Sequence, residues 1–170
     1  MSAITMANVC GPVSGCTTYN DGVLTGRDVA IELPEIAPAT ADLALMGTYT
    51  KPIWSLIEDM AATFTRIGVD KGLGQMLRPG VQSMEVRWAQ DSIDASGKSK
   101  TIGCKAFLTG EVRKIPGISL EVGSAVELPV EFGLTRYRLV ADGKEICLID
   151  RLAGKVVIDG KDYANLSAYL

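Results

Sequence analysis

Residues 135–163 read TRYRLVADGKEICLIDRLAGKVVIDGKDY, and the two Asp-Gly pairs in this stretch decide the fold. A tight hairpin turn needs positive φ at both central residues, which Asp tolerates and Gly adopts freely. Asp142-Gly143 is therefore predicted to be a hairpin tip. Before it, Tyr137, Leu139 and Ala141 alternate with Arg136 and Arg138; after it, Ile146 and Leu148 alternate with Glu145 and Cys147. Alternation of this kind is the period of a half-buried strand. Val156 to Ile158 forms a third short strand, ended by Asp159-Gly160. The stretch predicts a β-meander and carries no chemistry of its own.

Working upstream, Val126, Leu128, Val130, Phe132 and Leu134 make the cleanest apolar stripe, after which the phase jumps to Tyr137 and Leu139. A one-residue slip predicts a bulge, or a strand that passes from one sheet to another. Met84, Val86 and Trp88 alternate with Ser83, Glu85 and Arg87, and beyond a Ser96-Gly97 turn Ile102, Cys104, Ala106 and Leu108 alternate with Thr101, Lys105 and Thr109. In VLTGRDVAIEL, residues 23–33, Val29, Ile31 and Leu33 face one way and Asp28 and Glu32 the other, which predicts one strand. Residues 34–52, PEIAPATADLALMGTYTKP, hold neither period and read as a long connecting loop. Loops beyond about 12–15 residues are uncommon in compact domains unless they bind something or lack order. Residues 53–67, IWSLIEDMAATFTRI, fit a helix face through Ile53, Ile57, Met60 and Phe64, which the period by itself slightly favours, and a strand through Met60, Ala62 and Phe64 against Asp59, Thr63 and Thr65. Residues 70–77, DKGLGQML, open on a capping Asp and stop before Arg78-Pro79-Gly80, so a short helix is expected there.

At 170 residues the chain is expected to be a single domain spanning 1–170, large enough to fold around its own core. Twenty acidic and 17 basic residues leave a net charge of −3, which argues against a general nucleic-acid-binding surface. Histidine is absent, removing Ser-His-Asp and Cys-His pairs and histidine metal ligands. Glu58 and Asp59 are adjacent, so they point apart on a helix or a strand and read as solvated charges. Gly72-Leu73-Gly74 lacks the six-residue glycine fingerprint and the following Lys-Ser/Thr of a phosphate loop. Cys10 and Cys16 have no basic neighbour in sequence to stabilise a thiolate, and Cys104 and Cys147 read as small core hydrophobes. No catalytic, cofactor-binding or metal site is expected. The first residues lack a basic region followed by an apolar stretch, and no uninterrupted apolar run nears 20 residues, so neither a leader peptide nor stable membrane binding is expected.

The C-terminal RYRLVADGKEICLIDRLAGKVVIDGKDY resembles the signature of the major tail tube proteins of contractile-tailed phages and R-type pyocin-like particles: an aromatic-containing strand, a DGKE turn, an "ID" at the next strand's end and an "I-x-G-x-D" close. The likeness extends through GEVRKIPGISLEVGS (110–124), Leu33-Pro34-Glu35-Ile36, Met46-Gly47 and IEDMAATFTRIG (57–68). The N-terminal GPVSGCTTYNDG (11–22) departs from it in length and in its cysteine. The resemblance implies a mainly β subunit, a sandwich or barrel with one short helix, forming hexameric rings whose inner strands make a continuous lumen barrel. It aligns IEDMAATFTRI with a strand, and makes segments 1–22 and 34–51 candidates for assembly-dependent contacts. It further implies a structural virion protein in the tail, assembled in the host bacterial cytoplasm, that stacks inside a sheath as a conduit for DNA. The implied partners are further copies of itself, the sheath protein, the tape-measure protein, the baseplate hub and the tail terminator, with phage DNA passing non-specifically. A tail-completion or baseplate-hub adaptor ring, or the tube of a DNA-free bacteriocin-like particle, are the alternatives. If Met60, Ala62 and Phe64 face the core, then Asp59, Ala61, Thr63 and Thr65 face the other way, and the resemblance puts that face towards the lumen.

Overall fold

Alternating sequence becomes antiparallel sheet almost everywhere in this molecule. The structure, a computed structural model, describes residues 9–27 and 29–170. Its strands are β1 (Val9–Asn20), β2 (Val23–Arg27), β3 (Ala30–Glu32), β4 (Pro38–Ala44), β5 (Thr48–Ile57), β6 (Met60–Ile67), β7 (Gln82–Ile93), β8 (Ser99–Lys114), β9 (Glu127–Ala141), β10 (Lys144–Asp150), β11 (Lys155–Ile158) and β12 (Lys161–Asp162), with one helix, α1 (Lys71–Met76), between β6 and β7. Ten strands form one sheet in the order β12-β11-β10-β9-β8-β7-β1-β2, with β6 branching from β9 and carrying β3; β4 and β5 form a separate hairpin. The resulting layers are compatible with a β-sandwich, and the sheet does not close into a barrel among the described residues. The inward stripes meet in one cluster: Met60, Ala62 and Phe64 of β6, Met84 and Val86 of β7, Ala106 and Leu108 of β8, and Leu128 to Leu134 of β9. Phe64 and Phe132 meet edge to face at its centre, ring centroids 5.2 Å apart.

The three Asp-Gly pairs each take positive φ at both residues, as a turn with this twist demands: Asp21-Gly22, Asp142-Gly143 and Asp159-Gly160. Asp70 caps α1, accepting from the Leu73 N–H at 3.1 Å, and Leu73 and Met76 face the core. The 53–67 stretch is strand on both sides of a break at Glu58-Asp59, as the resemblance implied and against the helix that the period by itself favours.

The expected phase slip in β9 falls at Thr135. Register runs Thr109↔Arg136 and then Gly110↔Leu134, leaving Thr135 as an extra residue. There β9 also changes partner along one edge, pairing β6 over Glu127–Leu134 and β10 from Arg136 on. A bulge thus coincides with a change of ladder partner within the one sheet. Gly110 and Gly133 allow the two backbones to close at the kink, where a Cβ on Gly110 would sit 2.1 Å from the Gly133 carbonyl oxygen.

Three expectations are corrected. Residues 34–51 are a loop only over 34–37: from Pro38 on, β4 and the first part of β5 form a hairpin, turning at Met46-Gly47 with both φ positive. Residues 23–33 are two short strands, not one, because β2 pairs with β1 and β3 with β6. The position of Asp28, and residues 1–8 of the N-terminal segment, lie outside the described residues. In β10, Cys147 and Ile149 face the core while Ile146 is 41% exposed. Register slips between Glu145 and Cys147, so an extra residue reverses the phase that Ile146 and Leu148 suggest.

Candidate assembly surfaces

Strand alternation places the outward face of β6. Ala61, Thr63 and Thr65 are half-buried on the side opposite Met60, Ala62 and Phe64, and lie beside residues of β3 and β9: Thr63 opposes Glu32 and Glu131, and Thr65 opposes Ala30 and Pro129. Opposed residues in an antiparallel sheet share a face, so Glu32 and Glu131 join this surface, as does Glu111 through its pairing with Gly133. Short side chains and carboxylates make up most of it, with Lys114 opposite Glu131 and Arg113, 3.8 Å from the Glu131 carboxylate, as its cations.

Asp59 precedes β6 in the break and is exposed. Its carboxylate takes a bidentate ion pair from Arg113, with Nη2 donating to Oδ1 at 2.7 Å. That hydrogen bond, helped by the Arg113 charge, holds the Asp59 carboxyl below its usual range against the opposing desolvation. Arg113 can lie there because residue 133 is glycine; a Cβ on Gly133 would fall 2.5 Å from Nη2. The pairing spans 54 residues, and no local sequence signal announces it. Asp59 is consequently half of an ion pair, not a free acidic group.

The β4–β5 hairpin is the second surface. Six successive pairs, Ala39↔Ile53 to Ala44↔Thr48, carry it outward by roughly 17 Å. Its outer half is exposed on both faces, with Leu43, Leu45, Met46 and Tyr49 all open to solvent. An isolated two-stranded hairpin is marginal in water, and the outer half of this arm has little cover from the rest of the chain. Between β8 and β9, Ile118, Leu120 and Val122 are exposed in a segment without regular structure.

Reactive chemistry is sparse around these surfaces. Burial raises the thiol pKa of Cys104 and of Cys147, keeping both protonated. Cys16 is half-buried and Cys10 exposed. Glu58 is exposed and engages through its backbone, accepting from Arg151 Nη1 at 2.9 Å. Gly72 and Gly74 lie within α1, as helix residues. Among the described residues no three Cys, Asp or Glu side chains gather into a group that could hold a metal.

No curated protein matches the chain. The family model described as phage tail tube protein FII matches residues 12–166, almost all of the described structure. The match takes in both the C-terminal meander and the arm, so the chain belongs to the phage tail tube family, whose members are structural components of the virion tail.

Proposed function

We propose that this chain is the major tail tube subunit, stacking as hexameric rings inside a contractile sheath to form a conduit for DNA, and that its β4–β5 arm joins neighbouring subunits or rings. The observation that carries the reading is the arm itself: a strand pair solvated on both faces and tipped with Leu45 and Met46, 61% and 110% exposed, which gains stability only when something covers it. Partners follow from this placement: the sheath outside, the tape-measure protein within the growing tube, and the baseplate hub and tail terminator at its ends. Assembly takes place in the host cytoplasm.

The outward face of β6 is the lumen face in this reading. Ala61, Thr63 and Thr65 are short, Arg113 is shared between Asp59 and Glu131, and the carboxylates of Glu32, Glu111 and Glu131 outnumber the one further cation, Lys114, so the face stays acidic on balance. A passage for DNA works by not holding it; lysines in a ring would grip phosphates in a salt-dependent way, whereas short polar and acidic groups leave the duplex hydrated. Electron microscopy of the purified protein tests the proposal. Long hollow tubes are expected from the intact chain, and shorter or no tubes when residues 40–51 are replaced by a short turn. Single rings that never stack would point to an adaptor of the tail end instead, and an intact tube from the armless chain would remove the arm's role.

A further inference from the structure

Residues 115–123, IPGISLEVG, lie between β8 and β9 without regular structure. Ile118, Leu120 and Val122 fall at every second position, which is the period of an extended segment with one face to bury. The chain covers none of them: they are 54%, 78% and 105% exposed. Among the described residues no hydrogen bond reaches the main chain of 118–120. The segment leads into one end of the β6–β9 ladder, where the Gly68 N–H donates to the Val126 carbonyl at 2.8 Å. The arm leaves from the other end, since Ser55, Leu56 and Ile57 at the close of β5 share a cleft with Ile149 of β10 and Val156 of β11. The eight residue pairs of that ladder, a length of roughly 23 Å, hold the two features apart in one chain.

We infer that the receiver of the arm is this segment: the Leu43–Tyr49 face of one copy's arm lies on Ile118, Leu120 and Val122 of the next. The inference rests on the tail-tube reading for the presence of that second copy. Leu43 stands opposite Tyr49 across the hairpin, so the two share a face, while Asp42 and Thr50, hydrogen-bonded at 2.9 Å, take the other. Each copy therefore carries one uncovered apolar arm face and one uncovered apolar segment, and a single repeated contact covers both. A partner of any other kind covers one and leaves the other in water. Charge favours the pairing as well, since the charged residue on that arm face is Lys51, opposite Ala41, and the one within 115–123 is Glu121. The two surfaces differ and sit at opposite ends of the ladder, so the joint runs head to tail and propagates from copy to copy, whereas a joint between like surfaces stops at a dimer.

The test places a photo-reactive benzoylphenylalanine at the position of Tyr49 and compares the dispersed subunit with assembled tubes. Irradiated tubes are expected to give joined pairs of chains whose link maps by mass spectrometry to residues 115–124, and the dispersed subunit to give none. The double variant Leu120→Ser, Val122→Ser alters only exposed side chains. Its subunit is expected to melt like wild type while needing at least tenfold more protein to assemble, because the apolar area it would bury is lost. If the label blocks assembly the double variant decides, and if the double variant does not fold the cross-link decides. Links that map elsewhere, no link in labelled tubes, or tubes that form from the double variant at the wild-type concentration overturn the contact and leave the tail-tube reading standing. A chain that stays monomeric under all conditions overturns both.

Discussion

Phe132→Ala removes a ring that is 0% exposed and lies at the meeting point of β6, β8 and β9, opposite Ala62 on one side and Val112 on the other. Truncating a fully buried Phe costs about 3–5 kcal/mol, and a domain's whole stability is about 5–15 kcal/mol. Part of the loss belongs to the edge-to-face contact with Phe64, equally buried, its ring plane at 81° to that of Phe132. Such pairs contribute about 0.5–1.5 kcal/mol beyond buried area. Urea unfolding of the dispersed subunit, for wild type, each Phe→Ala variant and the double variant, separates the two quantities. The single variants should each lose about 3–5 kcal/mol, and the double variant should lose less than the sum by roughly the pair contribution. For a chain of this length the midpoint should fall by about 6–20 °C in a thermal melt. A loss below about 1 kcal/mol at Phe132, or strict additivity with Phe64, would show that the two rings do not share a core, and the layering derived from them would fail.

Gly110→Ala should destabilise by about 1–3 kcal/mol or more, because the new Cβ meets backbone at 2.1 Å, whereas Gly103→Ala on the same strand meets nothing within 4 Å and should be close to neutral in the same urea titration. Asp21 accepts from the Ser83 N–H and pairs with Arg78, and these contacts hold its carboxyl below the usual range. A depressed folded-state pKa means stability that is present above the unfolded value near ~3.9 and lost as pH falls through the folded value. Asp21→Asn should therefore trail wild type at neutral pH, with the gap closing in acid; a gap unchanged at low pH would sink that account. Thr63→Lys should leave tube formation intact and slow DNA passage most at low salt; ejection rates equal to wild type at low ionic strength would take Thr63 off the lumen wall.

Most strands could be read because one of their faces is buried, which imprints a period of two on the sequence. The Val126–Leu134 stripe, the Asp70 cap and the Asp-Gly turns all act locally, and all appear where the residues put them. The arm escaped for the same physical reason in reverse: Leu43, Leu45, Met46 and Tyr49 are exposed, so nothing imposes alternation and the stretch reads as loop. Ile146 misled because one extra residue reverses a strand's faces without changing its composition. The Asp59–Arg113 pair joins β8 to the entry of β6, and only the sheet order brings the two together.

The change of partner along β9 also governs how the subunit carries load. β6 and β10 lie end to end on the same edge of β9, so neither touches the other as a ladder partner and β9 is the tie between them. A pull on the arm along the strand direction passes through β5 into β6 and reaches β9 as shear across the eight residue pairs from Met60↔Leu134 to Ile67↔Glu127. Ladder hydrogen bonds run across the strands, so shear loads all of them together instead of opening them one by one. The subunit is therefore stiff to tension along its arm, whereas a pull on β12 meets only the two residue pairs that hold it to β11.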